Sequence, residues 1–339
     1  MKALMLKSPG ELVMCDAPVP EPGENELLIR TKAATICTSD LIDIKENPFG
    51  IELPVIIGHE GAGVVVKAGA RAEGFSPGDR VAAHPVMHCG KCASCARGLY
   101  HLCDDMEHLG LNRGGTFAEY FVIRADRARL KPESLPFEVS ALMEPVCVCL
   151  EALDRANVAE GSNVLIIGDG PFGIIISRLA AARKPACVVM LGRHEYRLGK
   201  ASEGGAVVAV NEKKCGGVIE EVMAAAGGCG FDSCVVCAAD AGAVETGVAA
   251  LRSRGTLCLF SGIGGRTPVD LFKVHVKELT IAGSCNDTGY LDEALRLLAD
   301  KTLDIGGVIT HRFPFERWED AFWQARDGKQ NGLKVCVDF

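Results

Sequence analysis

Short apolar runs broken by turn residues fill the first 145 positions of the chain. Residues 26–31, 63–67 and 117–123 combine aliphatic, aromatic and β-branched side chains over short stretches. Pro22-Gly23 and Pro77-Gly78 lie between such runs, and both dipeptides favour turns. This pattern predicts a compact β-rich domain.

The rhythm changes after residue 145, where apolar strand-like runs alternate with amphipathic helical segments. The predicted strands are residues 163–167, 187–191, 206–210, 231–237, 255–260 and 279–282. The predicted helices include residues 146–157, 174–182, 218–226 and 243–252. This alternation predicts an α/β fold with a parallel sheet covered by helices on both faces. The last part of the chain predicts helices over 290–299 and 318–327 and strands over 310–313 and 334–339.

Composition narrows the functional classes. The 339 residues are 48% hydrophobic and 24% charged, which suits about two globular domains. A net charge of −8 argues against nucleic acid and anionic membranes as partners. No apolar run approaches the roughly 18 residues of a membrane span, so we expect a cytoplasmic protein. The 16 cysteines then point to metal binding, catalysis or buried thiols rather than to disulfides.

A glycine-rich motif, G-x-G-x-x-G, follows the predicted strand 163–167. It comprises Gly168, Gly170, Pro171, Phe172 and Gly173, with Asp169 between the first two glycines. Gly168 permits a tight turn, Gly170 lets the backbone approach a pyrophosphate, and Gly173 allows close packing of helix on strand. The motif therefore predicts a dinucleotide-binding turn.

The end of the next predicted strand bears on the choice of cofactor. NAD-binding folds usually place a carboxylate there for the ribose 2′-hydroxyl, but this chain has Gly192 followed by Arg193. A guanidinium suits a 2′-phosphate, and Arg197 could join it. We therefore expect NADP(H) to be favoured over NAD(H). In the alternative, Arg193 is a solvated charge and Glu195 binds the ribose.

Four cysteines fall within fifteen residues in a C-x2-C-x2-C-x7-C pattern: Cys89, Cys92, Cys95 and Cys103. Four thiolates match the tetrahedral ligation of zinc and leave no position for a catalytic water, so the pattern predicts a structural zinc site. The alternatives are an iron–sulfur site, unligated thiols, or a zinc ribbon for nucleic acid, which the acidic chain disfavours.

Three further motifs complete a recognisable set: Cys37-Thr38-Ser39-Asp40, Gly58-His59-Glu60 and Glu144-Pro145. Their order and spacing resemble the zinc-dependent medium-chain dehydrogenase/reductase family, and its sorbitol (polyol) dehydrogenase and L-threonine 3-dehydrogenase branch in particular. The resemblance covers the whole chain, including residues 110–120, 255–262 and 310–316.

The resemblance implies a catalytic zinc with four candidate ligands: Cys37, His59, Glu60 and Glu144. Which of the two glutamates ligates the metal differs among relatives and stays open. Asp40 would orient the imidazole of His59, and Ser39 occupies the position of the family's relay hydroxyl.

The family also implies an architecture and a reaction. A GroES-like catalytic domain would span residues 1–145 and be completed by residues 286–339, with a Rossmann domain over residues 146–285. Each chain would hold one catalytic and one structural zinc and act in a homodimer or homotetramer. The expected reaction is reversible oxidation of a secondary alcohol in a polyol, sugar or sugar-acid-like substrate, with hydride transfer to NAD(P). L-Threonine 3-dehydrogenase and a non-catalytic NAD(P)-binding sensor are the alternatives.

The chain departs from the family pattern at two instructive positions. Ile42 replaces the histidine that completes the proton relay in many relatives, so the relay must end differently, through water or Asp43. Cys285 stands where polyol enzymes often have an arginine, which leaves sorbitol itself in doubt as the substrate.

Overall fold

A computed structural model of the chain describes residues 1–48, 50–287, 289–328 and 331–339. The chain forms two compact units. The first comprises Met1–Cys147 and Thr288–Phe339, and the second comprises Val148–Asp287.

The part of the chain before residue 148 is rich in strands. These are β1 (Lys2–Ser8), β2 (Glu11–Asp16), β3 (Glu26–Thr35), β4 (Val55–Ile56), β5 (Glu60–Ala68), β6 (Arg80–Ala83), β7 (Val86–Met87), β8 (Glu107–His108), β9 (Tyr120–Arg124) and β10 (Ala128–Leu130). Its α-helices are α1 (Thr38–Glu46), α2 (Ala93–Ala96), α3 (Phe137–Ser140) and α4 (Met143–Arg155), the last of which runs on into the second unit.

Residues 148–287 alternate strands with helices, as the sequence predicts. The strands are β11 (Asn163–Ile167), β12 (Cys187–Gly192), β13 (Val208–Asn211), β14 (Phe231–Val236), β15 (Leu251–Leu259) and β16 (Thr280–Gly283). The helices are α5 (Pro171–Ala182), α6 (Glu195–Ser202), α7 (Val218–Ala225), α8 (Ala241–Ala250) and α9 (Leu271–Val276).

The remaining elements return to the first unit. They are α10 (Leu291–Ala299), β17 (Ile309–Pro314), α11 (Trp318–Asp327) and β18 (Lys334–Asp338). Short 3-10 turns cover Tyr100–Leu102, Ala125–Arg127, Ile305–Val308 and Phe315–Arg317.

The sheet of the second unit has the strand order β13-β12-β11-β14-β15-β16, and every neighbouring pair is parallel. This is the order of a dinucleotide-binding fold, with its switch point between β11 and β14. Four of the five residues of β11 are buried, which explains its unbroken apolar sequence. The prediction of a parallel α/β domain is therefore confirmed.

The first unit places β3 at the centre of a mixed sheet. Its strand order is β10-β6-β5-β3-β18-β17, and β9 also pairs with β3. The carboxyl-terminal β18 thus completes a sheet that the amino-terminal strands begin, and it lies antiparallel to β3. A smaller sheet, β2-β1-β4, packs its apolar side chains in a core with residues such as Phe117, Phe315 and Phe322.

Several boundaries differ by a few residues from the sequence prediction, and the one between α8 and β15 has a clear cause. The helix predicted over 243–252 ends at Ala250, and β15 begins at Leu251. Leu251 pairs with Phe231, and the register then shifts before Thr256 pairs with Ser233. A bulge of this kind follows from pairing with β14, so local propensity does not reveal it. Within the described ranges, no helix is long and apolar enough to cross a membrane.

Candidate metal centres and cofactor pocket

The carboxylate of Asp40 links the start of α1 to His59, the residue directly before β5. Asp40 Oδ2 accepts the backbone N–H of Cys37 at 2.8 Å, which fixes the first turn of α1 as in a capping box. Asp40 Oδ1 lies 3.2 Å from His59 Nδ1. Asp40 therefore orients the imidazole and directs the other ring nitrogen, Nε2, to serve as a metal ligand.

The surroundings of His59 stabilise positive charge. Burial alone lowers the pKa of His59, but Asp40 and the Cys37 sulfur raise that pKa well above its ordinary value. A metal cation would benefit from the same two neighbours.

Three candidate ligands come together in the first unit. The Sγ of Cys37, a ring nitrogen of His59 and a carboxylate oxygen of Glu60 all lie within 4.8 Å of one another. Thiolate, imidazole and carboxylate are the donors that zinc takes in catalytic sites, where three protein ligands leave one position open. The residues present therefore fit a catalytic zinc.

Glu60 is held by two buried partners that motif analysis did not find. Lys334 Nζ donates to Glu60 Oε1 at 2.5 Å, and Thr35 Oγ1 donates to the other oxygen. The side chains of Lys334 and Glu60 are 2% and 0% exposed. Burial alone lowers the pKa of Lys334, but attraction by Glu60, Cys37 and Glu144 raises it overall. Lys334 therefore stays charged and positions Glu60. The only trace in the sequence is a lysine at the start of the last strand, directly before the apolar residues 335–337.

The other residues that the sequence singled out lie on α1 and α4. Glu144 is buried in the first turn of α4, outside the group of ligand atoms, and acts on Lys334 through its charge. Ser39 is partly buried on the first turn of α1. Ile42 is 40% exposed on the same helix, whereas Asp43 is buried.

A second histidine that the motifs did not identify lies beside the cluster. The ring centroids of His108 and His59 are 5.7 Å apart, and His108 is buried. His108 Nδ1 lies 2.7 Å from the carbonyl oxygen of Leu109, and because a carbonyl only accepts, Nδ1 carries the proton. Burial and the nearby His59 lower the pKa of His108 to about 3, so its ring is neutral.

The four cysteines predicted to bind structural zinc meet in one place. The Sγ atoms of Cys89, Cys92, Cys95 and Cys103 lie within 4.8 Å of one another. Cys92 and Cys103 have their sulfurs 3.8 Å apart, which matches two corners of a tetrahedron with zinc–sulfur bonds of about 2.3 Å.

Backbone N–H groups prepare these sulfurs for a metal. Cys92 caps α2, and its Sγ accepts the N–H of Cys95 at 3.4 Å. Cys103 Sγ accepts the N–H of Cys89 at 3.3 Å. The N–H groups of Lys91 and Cys92 lower the pKa of Cys89 to about 7. The loop therefore favours the thiolate form at Cys89. Burial raises the pKa of Cys95 to about 12 and also raises that of Cys103, so zinc must displace a proton from these two thiols when it binds.

We expect Cys92→Ser to remove one zinc per chain and to lower the free energy of unfolding by more than about 3 kcal/mol, because the loop would lose the metal that orders it. Zinc analysis and chemical denaturation measure both effects. Cys229→Ser, at an exposed cysteine of the second unit, is the matched control. A Cys92→Ser protein with unchanged zinc content and unchanged denaturation midpoint would contradict the site.

The glycine-rich turn of the second unit has the predicted geometry. Gly168 has φ +123°, a conformation that side-chain-bearing residues rarely adopt. A Cβ at Gly173 would lie 2.0 Å from the carbonyl oxygen of Gly168, so only glycine permits this close packing of α5. Pro171 occupies the first turn of α5, where its missing N–H costs nothing. Phe172 packs near Phe260, with ring centroids 5.4 Å apart.

Asp169 fills the space that a side chain at Gly192 would need. Its Oδ2 accepts the backbone N–H groups of Arg193 and His194, each at 2.7 Å, and its Oδ1 lies 3.0 Å from His194 Nδ1. A Cβ on Gly192 would lie 2.6 Å from that Oδ2. Burial alone raises the pKa of Asp169, but its bonds to His194 and Arg193 lower it overall. Asp169 therefore fixes the turn that follows β12, and its carboxylate is engaged by groups of that turn.

The turn opens into a pocket of about 310 Å³ at the carboxyl ends of β11, β12 and β14. Gly168, Gly192 and Arg193 line it. Arg197 is buried on α6 and lies outside the described lining, while Glu195 pairs with Lys214 at 2.8 Å. Pockets at this switch point bind dinucleotides in folds of this strand order.

Comparison with known proteins identifies the family of the chain. Residues 23–133 match the model for the alcohol dehydrogenase GroES-like domain, and residues 171–300 match the model for zinc-binding dehydrogenases. The chain is 32% identical to sorbitol dehydrogenase of Macaca fascicularis, across 99% of this chain and 95% of that protein. It is 34% identical to L-threonine 3-dehydrogenase of Pyrococcus horikoshii, across 97% and 96%.

A solved structure supports the same family. A protein described as a zinc-binding dehydrogenase from Sinorhizobium meliloti 1021, bound to NADP, superposes with a TM-score of 0.92 at 28% identity, covering 100% of this chain and 99% of that one. The chain therefore belongs to the zinc-dependent medium-chain dehydrogenase/reductase family and is an alcohol or polyol dehydrogenase of the zinc type.

Proposed function

We propose that this protein oxidises a secondary alcohol of a polyol, sugar or sugar-acid-like substrate and transfers the hydride to NADP. The observation that carries the proposal is the buried cluster of Cys37, His59 and Glu60, whose donors suit a catalytic zinc. The similarity to a sorbitol dehydrogenase supports an oxygen-rich substrate.

The residues in and around the cluster of Cys37, His59 and Glu60 each have a proposed task in the reaction. Zinc, when bound, supplies Lewis-acid chemistry that lowers the pKa of the alcohol. Asp40 holds the ring of His59, while Lys334 and Thr35 hold Glu60. Ser39 takes the hydroxyl proton and passes it to solvent, because Ile42 offers no group that could carry it further. The carbinol carbon gives its hydride to the nicotinamide ring.

The preference for NADP(H) rests on the pocket of the second unit. Gly192 carries no carboxylate, and Arg193 places a guanidinium at the pocket where a 2′-phosphate would lie. The similar Sinorhizobium protein is described as bound to NADP, which supports the same cofactor here. We further propose one catalytic and one structural zinc per chain, held by the two clusters described above.

We also propose that the enzyme is a homodimer or homotetramer. The strand β16 ends the parallel sheet, and Leu271 and Phe272 of the nearby α9 are 73% and 76% exposed. Val276 and Ile281 are exposed as well. These four exposed apolar side chains, which lie on the edge strand or shortly before it in the sequence, are the patch that we propose associates with a second copy.

We expect Phe272→Ser to weaken this association, because it removes an aromatic side chain from the patch. Light scattering should give a mass of two or four chains for the wild type and a smaller mass for the variant at equal concentration. Tyr196→Ser, at an exposed aromatic on α6, is the control. A wild type that is monomeric at all concentrations would contradict the proposal.

The cysteines favour a reducing compartment. Across the described residues, no disulfide joins any of the 16 cysteines, although several are exposed or half-buried. We therefore propose a cytoplasmic location, where thiols stay reduced.

The deciding experiment measures initial rates of cofactor reduction on polyols, sugars, sugar acids and L-threonine, with NAD and NADP side by side. A polyol or sugar substrate with a higher kcat/KM for NADP is the expected result. A threonine-specific enzyme would instead be an L-threonine 3-dehydrogenase, the activity named for a relative at 34% identity. Tight cofactor binding with no turnover on any alcohol would favour a sensor.

A further inference from the structure

One basic side chain in the cofactor pocket is surrounded by acidic ones. Asp169, Arg193, Glu212 and Asp240 all line the pocket of about 310 Å³ at the end of β12. The sequence predicts that Arg193 binds a phosphate, whereas Glu212 and Asp240 belong to no motif.

The guanidinium of Arg193 contacts two carboxylates from different elements. Its Nε lies 2.7 Å from Glu212 Oε2 and its Nη2 lies 3.2 Å from Glu212 Oε1, so this pair is bidentate. The same Nη2 lies 3.0 Å from Asp240 Oδ2. These contacts occupy the Nε–Nη2 edge of the guanidinium and the other side of Nη2, so a phosphate that binds Arg193 there competes with both carboxylates.

The backbone places Glu212 and Asp240 at the ends of two elements, β13 and α8. Glu212 directly follows β13, and its backbone N–H donates to the carbonyl oxygen of Gly192 at 2.9 Å. Asp240 caps α8, where its Oδ1 accepts the N–H of Gly242 at 2.9 Å. The cap holds the Asp240 carboxylate itself, whereas at Glu212 the backbone is held and the carboxylate is placed by its two contacts with Arg193.

We propose that Glu212 and Asp240 set how strongly the enzyme discriminates between NADP(H) and NAD(H). They hold Arg193 over the pocket, and at the same time their two negative charges oppose a 2′-phosphate. Arg193, Glu212 and Asp240 together carry a net charge of −1, and the buried Asp169 adds another negative charge. Cofactor preference is thus the balance of one cation against these carboxylates, not the property of the arginine alone. This inference rests on the proposed binding of the cofactor in this pocket.

The test is a titration of the zinc-loaded protein with NADPH and with NADH at low salt, followed by nucleotide fluorescence. Glu212→Gln and Asp240→Asn each remove one negative charge, and asparagine retains the cap of α8. We expect each variant to bind NADPH about three- to tenfold more tightly than the wild type, with NADH affinity changed less than about twofold. Glu278→Gln is the matched control, since that glutamate is exposed, pairs with Arg254 and does not line the pocket.

A parallel titration of Arg193→Ala separates the two proposals. If this variant loses NADPH affinity while Glu212→Gln and Asp240→Asn bind NADPH no more tightly than the wild type, the inference is overturned and the proposed cofactor preference stands. If Arg193→Ala binds NADPH as tightly as the wild type, both are overturned. Tighter NADPH binding by both carboxylate variants, without a matching change for NADH, supports the inference.

Discussion

Replacing Cys37 or His59 with alanine should lower kcat by about a thousandfold or more while NADPH binding stays unchanged. Each variant removes one of the three donors that meet within 4.8 Å in the first unit. Loss of the metal removes Lewis-acid stabilisation of several kcal/mol, and each 1.4 kcal/mol is worth about tenfold in rate. The nucleotide pocket is formed by residues of the second unit, so nucleotide affinity should not depend on these donors. Initial rates and fluorescence titration measure the two quantities separately.

A matched control guards against a general loss of structure. Cys15→Ala removes a partly exposed cysteine from β2 in the same unit and should leave kcat unchanged. Full turnover in Cys37→Ala or His59→Ala would show that these residues do not hold a catalytic metal. A parallel loss of NADPH binding would show instead that the variants had unfolded.

Lys334→Met should lower the free energy of unfolding by about 3 to 5 kcal/mol, because it leaves the Glu60 carboxylate buried without its cation. Lys334 Nζ and Glu60 Oε1 are 2.5 Å apart, and both side chains are buried from solvent. Methionine retains most of the volume of the lysine stem, so the lost charge rather than a cavity accounts for the effect. Urea denaturation at neutral pH measures the change.

Two further variants identify the cause. Lys2→Met breaks an exposed pair with Asp16 and should change stability by less than about 1 kcal/mol. Combining Lys334→Met with Glu60→Gln removes both charges and should recover part of the lost stability. An unchanged denaturation midpoint in Lys334→Met would show that the pair contributes nothing to the fold.

The sequence predicted those parts of the fold that depend on local patterns. The bounds of β11 agree with the apolar run at 163–167, and those of α11 agree with the amphipathic pattern at 318–327. A fully buried strand and an amphipathic helix each leave a clear pattern in the sequence. The bulged start of β15 could not be predicted in this way. It arises from pairing between Leu251 and Phe231, which lie in different segments of the chain.

The same distinction between local patterns and long-range contacts applies to the residues of the candidate metal site. Cys37, Asp40 and His59 belong to short motifs, and the structure brings them together. Lys334 was not predicted, because it belongs to the last strand and contacts Glu60 only when β18 pairs with β3.

The cofactor pocket shows the same limitation of sequence reasoning. Gly192 and Arg193 are adjacent in sequence and suggested a 2′-phosphate site. Asp169, Glu212 and Asp240 surround Arg193 from three other segments. Motif spacing therefore indicated the group that we propose attracts the 2′-phosphate, but not the carboxylates that we propose oppose it.

The most direct test of the account is a paired measurement of zinc content and turnover during removal of metal by a chelator, using the best substrate of the panel. We expect two zinc ions per wild-type chain at the start, with turnover falling in proportion to the loss of one of them. The Cys37→Ala variant should begin with one zinc and no turnover. Full turnover after both zinc ions have gone, or two zinc ions retained by Cys37→Ala, would contradict the proposed catalytic site.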